Sequence, residues 1–322
     1  MSLDSTRAIL ADLIGFETVS AESNLGLIAY AQSRLDALSA RTYMTVSPCG
    51  SKANLFASIG PKVPGGVVLS GHTDVVPVEG QDWEFDPFGA TEWDGKIYGR
   101  GACDMKGFIA CALAMAPRFA EADLAKPVHF AFTYDEEVGC LGAPQMLDMV
   151  ADVGLAPEIC IIGEPTAMQI VEGHKGMCEY TTRFTGLAGH GSDPDAGVSA
   201  VEYAVRYVGR LLELREELKA RAPADSRYQP PWSTLQVGAV RGGSSHNVIA
   251  EHAEVAWELR PVVDEDRTFV RSEMDLYVGK ELLPAMRRVH PWADIVMDVI
   301  GEVAELEVMP ESEAVKLVEE LT

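Results

Sequence analysis

Three short apolar runs in the first half of the chain are each followed at once by histidine or carboxylate side chains. The runs are rich in residues that favour strands, and segments with helical spacing lie between them. Near-continuous apolar strands separated by helices predict an α/β fold with a mostly parallel sheet covered on both faces. The runs are Val67 to Ser70, followed by His72 and Asp74; Val128 to Thr133, followed by Glu136 and Glu137; and Cys160 to Ile162, followed by Glu164.

The polar residues after these runs form a candidate metal site. In an open parallel sheet, ligands bind beyond the carboxyl ends of the strands, and Asp104 lies just before a predicted helix. One histidine together with several carboxylates suits Zn2+ or a related divalent ion. A single aspartate at a strand end is more often a turn residue, and a pair of adjacent glutamates is usually a solvated edge. The coincidence at three successive strand ends favours the metal site.

The adjacent Glu136 and Glu137 allow a division of chemical roles at such a site. A carboxylate between two cations can bridge them, and a water held by the same cations loses a proton near neutral pH. A neighbouring carboxylate that binds no metal can accept this proton and pass it to a leaving amine. Because successive side chains of a strand point in different directions, one glutamate can bind metal while the other faces the water.

The sequence pattern changes near Lys175 and predicts a second, smaller α+β domain. One predicted strand of this domain alternates apolar with polar or small side chains, as in an antiparallel strand with one buried face. We therefore expect a catalytic domain made of residues 1–176 and 296–322, into which residues 177–295 are inserted. The predicted strands of the inserted domain are 177–185, 235–240 and 253–260, with a helix over 201–212.

Charge and hydropathy exclude several classes of function. The 322 residues have a formal net charge of −23, so a polyanionic nucleic acid is repelled. No stretch approaches the ~18 uninterrupted apolar residues of a membrane span, and the N-terminus shows no pattern of a secretory signal. The six cysteines form no C-x-x-C pair and are expected to be reduced. We expect a cytoplasmic protein that binds neither nucleic acid nor membrane.

Four segments around the candidate residues have the order and composition of the motifs of one enzyme family. They are GHTDVVP (71–77), GRGACDMKG (99–107), DEEVG (135–139) and GEPT (163–166). They resemble the successive metal-binding motifs of the M20 peptidase family of two-zinc amide hydrolases, and the resemblance covers nearly the whole chain. It implies a zinc-peptidase-like catalytic domain and a smaller lid domain through which a homodimer forms.

The resemblance also implies the chemistry of the site. A complete site holds two Zn2+ ions, for which Co2+ can substitute, and a cis peptide bond follows Asp104. Glu136 is the implied general base, and Asp74 is the residue that fixes the tautomer of the metal-binding histidine. The implied metal ligands are His72 and Glu164 on one ion, Glu137 on the other, and Asp104 bridging the two.

Three residues of the second domain are similar to family positions that reach the substrate. By this resemblance, His190 stabilises the oxyanion across a dimer interface, and Asn247 and Arg260 bind polar groups of a small N-acyl amino acid. Arg260 suits an α-carboxylate because its guanidinium offers parallel N–H donors. The alternatives are plain: a histidine between glycines is often only a loop residue, and an arginine at a strand end is usually solvated.

Within the M20 family, the segments around Asp104 and Glu137, together with GHKG (173–176), are most similar to the acetylornithine deacetylases. The implied reaction is hydrolysis of N2-acetylornithine to ornithine and acetate, in arginine biosynthesis. Succinyl-diaminopimelate desuccinylases, aminoacylases and dipeptidases share the metal motifs and remain alternatives. A catalytically silent metal-binding protein is a further alternative, against which Glu136 argues because a structural site needs no unligated base.

The C-terminal region departs from the family pattern. The family has a final histidine ligand near its C-terminus, and no histidine follows His290 in this sequence. We therefore expect an incomplete chain; the alternative is a disordered or cleaved tail. Asp104 and Glu137 alone would hold the second metal, and two carboxylates bind zinc less well than a set with imidazole. We also expect residues 296–306 to return to the catalytic sheet, followed by a helix over 311–321.

Overall fold

The computed structural model describes residues 3–321, which form two compact units. The first contains residues 3–170 together with 311–321, and the second contains residues 171–310. Within 3–321, no helix is long and apolar enough to cross a membrane. The elements of the first unit up to residue 170 are α1 (Leu3–Ile14), α2 (Leu25–Asp36), β1 (Arg41–Val46), β2 (Ala53–Ile59), β3 (Val67–His72), β4 (Thr91–Trp93), β5 (Lys96–Tyr98), α3 (Lys106–Glu121), β6 (Val128–Thr133), α4 (Ala143–Asp152) and β7 (Ile159–Ile162).

A five-stranded sheet in the order β1-β2-β6-β3-β7 forms the centre of the first unit. β3 pairs in parallel with both β6 and β7, whereas β2 pairs antiparallel with β1 and with β6. Every strand except β2 therefore runs in the same direction, which confirms the predicted α/β fold with a mostly parallel sheet. All residues of β2 are buried, because this strand lies inside the sheet and both of its faces are covered.

Helices cover the two faces of this sheet. Apolar side chains of α1, α2 and α3, among them Leu13, Leu27 and Leu113, form one buried core with β2 and β6. Met146 and Val150 of α4 form a second core with alternate residues of β2, β3 and β6. Because successive side chains of a strand point to opposite faces, these two cores lie on opposite sides of the sheet. The polar residues that follow the strands belong to neither core and lie at the edge of the sheet.

The second unit is an α+β arrangement with its own core. Its largest sheet is antiparallel throughout, and the side chains of its longest helix pack on one face of that sheet. The elements are β8 (Met177–Thr185), β9 (Gly189–His190), α5 (Ala200–Ala220), β10 (Thr234–Gly242), β11 (Val248–Ile249), β12 (His252–Arg260), α6 (Asp264–Tyr277), a π-helical turn (Val278–Leu282), α7 (Leu283–Val289) and β13 (Asp294–Val303). The sheet order is β10-β12-β8-β13, and β9 pairs separately with β11.

The chain returns to the first unit later than the sequence analysis predicted. We expected residues 296–306 in the catalytic sheet, but β13 pairs with β8 in the second sheet, and residues up to 310 belong to the second unit. The physical reason is that β8 offers a free edge there, and Ile295 of β13 enters the same core as Phe184 of β8. The last helix, α8 (Glu313–Leu321), contacts β7 in the first unit, as expected.

Candidate metal centre

The polar strand ends of the first unit converge because β6, β3 and β7 are parallel neighbours. His72 is the last residue of β3, and it pairs with Thr133 at the end of β6. Ser70 of β3 pairs with Ile162 at the end of β7, so Glu164 follows within two residues. The carboxyl ends of all three strands therefore lie at one edge of the sheet, where ligands bind in folds of this class.

His72 is buried, and its two ring nitrogens have different surroundings. Nδ1 lies 2.9 Å from the backbone carbonyl oxygen of Asp74. A carbonyl oxygen can only accept, so Nδ1 carries the proton and Nε2 of the neutral ring has a free lone pair. Nε2 faces three carboxylates, at 3.0 Å from Asp104 Oδ1, 3.8 Å from Glu164 Oε1 and 3.9 Å from Glu136 Oε2.

His72, Asp104 and Glu164 form a set that fits a divalent cation. Each offers one ligand atom, and these atoms lie within 4.8 Å of one another. One imidazole nitrogen with carboxylate oxygens is a donor set that Zn2+ accepts. The side chains of Asp104 and Glu164 are 47% and 40% exposed, so the site is open to small molecules. The peptide bond between Asp104 and Met105 is cis, as the resemblance implied.

The electrostatics of this cluster favour a cation. Burial, together with the neighbouring carboxylate of Asp104, raises the pKa of Glu137 to about 7, and the pKa of Glu164 is raised by the same two causes. Burial alone would lower the pKa of His72, but the surrounding carboxylates, that of Asp74 foremost, raise it to about 10. Burial is the largest cause for the two glutamates, and the repulsion from neighbouring carboxylates adds to it. A divalent cation would neutralise this excess of negative charge.

Asp74 contacts His72 through its backbone and the glutamate pair through its side chain. The tautomer of His72 is fixed by the backbone carbonyl of Asp74, whereas the carboxylate Oδ1 lies 3.6 Å from Nδ1. The carboxylate instead accepts the backbone N–H of Glu136 at 3.0 Å and of Glu137 at 3.3 Å. Burial opposes its charge, but the nearby ring of His72, the hydroxyl of Ser20 and the N–H of Glu136 lower the pKa of Asp74. Asp74 therefore connects the histidine to the glutamate pair.

Glu136 and Glu137 lie in the turn that follows β6. Oε2 of Glu136 is 3.9 Å from Nε2 of His72, and its Oε1 is 3.8 Å from the thiol sulfur of Cys140, which donates to it. Glu137 is not part of the set of three clustered ligands, although its pKa responds to the charge of Asp104. The carboxylate of Glu136 thus lies beside the set of three without being a member of it.

His190 and Asn247 lie next to each other in the second unit. β9 pairs with β11 so that His190 faces Val248, and the N–H of Gly191 donates to the carbonyl of Asn247 at 2.8 Å. Nδ1 of His190 accepts the N–H of Ser192 at 3.2 Å, so the neutral ring carries its proton on Nε2. The side chain is exposed, and this N–H is the donor that it presents.

Arg260 does not lie with these two residues. It ends β12, whereas β11 directly precedes the start of that strand at His252, roughly 26 Å away along eight residue steps of ~3.3 Å. Its guanidinium Nε and Nη2 donate to the carboxylate of Glu258 at 3.2 and 3.1 Å. The fork predicted for a substrate carboxylate is therefore occupied by a neighbouring side chain.

The sequence analysis missed two buried polar residues near the cluster. Lys106 begins α3, and its Nζ donates to the carbonyl of Phe16 at 2.7 Å; burial lowers its pKa to about 8, although the carboxylate of Asp74 opposes this shift. Ser20 donates its hydroxyl to Asp74 at 2.7 Å. A lysine at the start of an alanine-rich helix was a visible signal for the first, whereas nothing in the sequence near Ser20 indicated the second.

Comparison with known proteins agrees with this geometry. The sequence model of peptidase family M20/M25/M40 matches residues 68–319. Acetylornithine deacetylase from Shigella sonnei is 36% identical over 271 residues, which make up 84% of this chain and 68% of that enzyme. An aminopeptidase from Bacillus cereus has the same fold, with a TM-score of 0.70, 17% identity, and coverage of 98% of this chain and 80% of that one.

An M20 metallo-carboxypeptidase from Sulfolobus solfataricus also shares the fold, with a TM-score of 0.67, 17% identity, and coverage of 92% of this chain and 78% of that one. The family match spans most of the chain and includes His72, Asp104, Glu136 and Glu164. The chain therefore belongs to the peptidase M20 family of metal-dependent hydrolases.

Proposed function

We propose that this chain hydrolyses the amide bond of N2-acetylornithine to ornithine and acetate, with Zn2+ as the native metal. The observation that carries the proposal is the carboxylate of Glu136, which lies beside the set of His72, Asp104 and Glu164 without belonging to it. A site that only stored metal would need no such group. The 36% identity with acetylornithine deacetylase supports the choice of substrate.

The side chains of the first unit have separate tasks in this reaction. His72, Asp104 and Glu164 would hold the ion, and a bound ion polarises the amide carbonyl and lowers the pKa of a water. Glu136 would accept the proton of that water as the water oxygen bonds to the carbonyl carbon, and would then give the proton to the amine nitrogen as the C–N bond breaks. Asp74 keeps the backbone of Glu136 in place through its hydrogen bond to the N–H.

The residues of the second unit complete the proposal. Nε2–H of His190 donates to the oxygen of the attacked carbonyl, and we infer that a second copy of the chain supplies this histidine in a homodimer. Asn247 adjoins His190 and would bind a polar group of the substrate from the same second copy, whereas Arg260, at the far end of β12, would bind from the first copy. Arg260 must then exchange Glu258 for the α-carboxylate; the side chain of Arg260 is 44% exposed, and an exposed ion pair stabilises the protein by only ~0–1 kcal/mol.

A substrate comparison on metal-loaded protein tests the proposal. The chain is treated with chelator, reloaded with Zn2+ or Co2+, and assayed with N2-acetylornithine, N-succinyl-diaminopimelate, N-acetylmethionine and a dipeptide. We expect kcat/KM for N2-acetylornithine to exceed the others by about tenfold or more, the size of discrimination that a substrate pocket commonly gives. A higher value for another substrate would assign the chain to that branch of the family. No hydrolysis by the loaded protein would support a silent metal-binding role.

A further inference from the structure

Residues 16–20 form an extended segment after α1 that lies along the loop 73–75. Val19 and Val75 form a parallel bridge. The N–H of Val75 donates to the carbonyl of Thr18 at 3.0 Å, and the N–H of Ser20 donates to the carbonyl of Val75 at 3.1 Å. Thr18 and Ser20 are buried. The segment precedes residues 68–319, which match the family, and nothing so far assigns it a function.

Of the hydrogen bonds that the carboxylate of Asp74 accepts, the one from the hydroxyl of Ser20 is the shortest. Its Oγ lies 2.7 Å from Oδ2, whereas the N–H of Glu137 reaches the same oxygen at 3.3 Å. The other oxygen, Oδ1, accepts the N–H of Glu136 at 3.0 Å. The carboxylate of Asp74 can rotate about its side-chain bonds, so its orientation depends on hydrogen-bond donors that are themselves held in place. Ser20 is fixed because both its N–H and its carbonyl are hydrogen-bonded.

Lys52 connects the same segment to the glutamate turn from a second direction. Its Nζ donates to the carbonyl of Ser20 and, at 2.5 Å, to the carboxylate of Asp135, the residue before Glu136. The side chains of Lys52 and Asp135 are 13% and 11% exposed, so solvent screens this pair only in part. Residues 16–20 therefore meet the glutamate turn both through Asp74 and through Lys52.

We propose that Ser20 is a positioning residue of the metal centre: its hydroxyl orients the Asp74 carboxylate, which sets the backbone of Glu136 and Glu137. The inference rests on the proposed hydrolytic function of the same site. Ser20 is not one of the three clustered ligands. The hydroxyl acts through Asp74. Lys52 binds the backbone carbonyl of Ser20, which a side-chain substitution keeps, so the hydroxyl, rather than the volume of the side chain, is the part that matters.

The test compares Ser20→Ala with Ser20→Thr and with a matched buried serine. Ser58 is fully buried, and its hydroxyl bonds Nδ1 of His129 at 2.8 Å on a different part of the sheet, so Ser58→Ala reports the general cost of losing one buried hydroxyl. The measurements are the melting temperature, the dissociation constant of Co2+ from the visible absorbance of the bound ion, and kcat and KM on the preferred substrate.

We expect Ser20→Ala to weaken Co2+ binding by about 10–100-fold, the usual effect of removing a group that orients metal ligands, and to lower kcat with KM within about threefold. Ser20→Thr keeps the hydroxyl and should retain wild-type values. Ser58→Ala should lower the melting temperature by a similar amount without either effect. If Ser20→Ala does not fold, Ser20→Cys, which keeps the volume with a much weaker donor, replaces it.

Wild-type Co2+ binding in a folded Ser20→Ala protein would overturn the proposal. Equal losses in Ser20→Thr, or in Ser58→Ala, would also overturn it, because volume or general stability would then explain the effect. The Co2+ titration needs no substrate. A wild-type chain that binds Co2+ but hydrolyses none of the four substrates would therefore refute the proposed function, while the titration still decides the role of Ser20.

Discussion

Replacing Glu136 with glutamine separates proton transfer from metal binding. Glutamine keeps the length and shape of the side chain but cannot accept a proton at neutral pH. The carboxylate of Glu136 is 39% exposed and lies 3.9 Å from Nε2 of His72. It is not one of the three groups whose ligand atoms lie within 4.8 Å of one another. Glu136→Gln should therefore affect turnover far more than metal content.

The expected magnitude follows from the two roles. Loss of a general base lowers kcat by about 10²–10⁴, which corresponds to about 3–5 kcal/mol in the activation free energy. The charge of Glu136 is among the causes that raise the pKa values of Glu137 and Glu164. Its removal therefore relieves repulsion between the remaining carboxylates, which offsets part of the lost attraction for the cation.

The assay measures metal content and kcat on the same preparation, reloaded with saturating Zn2+. Glu164→Gln is the matched control, because it makes the same chemical change on one of the three clustered ligands. We expect Glu136→Gln to retain its metal and lose turnover, and Glu164→Gln to lose both. A Glu136→Gln protein with near-normal kcat would refute the assignment of the base, and equal loss of metal in the two variants would show that Glu136 is itself a ligand.

Three further predictions concern the rest of the chain. The second unit should form a homodimer, and a monomer in sedimentation at micromolar concentration would contradict this. Iodoacetamide at pH 7.5 should modify Cys49 before the buried Cys178, and peptide mass analysis would show the order. Hydrogen bonds with the neighbouring serine hydroxyls lower the pKa of the Cys49 thiol to about 7, whereas burial raises the pKa of Cys178. Asp266 is buried and accepts hydrogen bonds from Ser233 and Arg221. Asp266→Asn should therefore lower the free energy of unfolding by about 1–3 kcal/mol, measured by urea titration. An equal loss in Asp264→Asn, which changes an exposed side chain, would contradict this.

The sequence predicted the central strands and the polar edge because local pattern and function coincide there. Val128 to Thr133 and Met177 to Thr185 match β6 and β8 at both ends. In an α/β fold, a short apolar run followed directly by polar residues indicates a central strand whose carboxyl end lies at the ligand-binding edge of the sheet. The convergence of His72 with Glu164 needed one further condition, that β3 and β7 be neighbours, and the structure shows that they are.

The sequence could not indicate which sheet β13 joins. Its residues alternate poorly, and most of them are only partly buried, because a strand at a sheet edge has one long side open. Pairing with β8 extends from Asp294 to Val303, and it depends on a free edge that the sequence does not reveal. The β1–β2 hairpin was also missed, because Asn54 and Ser58 interrupt the apolar run of β2 although the whole strand is buried.

The design of the site explains why long-range polar contacts escaped the sequence analysis. The cluster brings several carboxylates around one histidine, and such a group repels itself unless cations and N–H or O–H donors compensate. A lysine beside Glu136 or Glu137 would compete with a cation for the same carboxylates. Their backbone is held instead by Asp74, and Asp74 is held by Ser20, 54 residues earlier in the chain. A donor of this kind needs only a hydroxyl at the right place, so the fold alone determines which serine provides it.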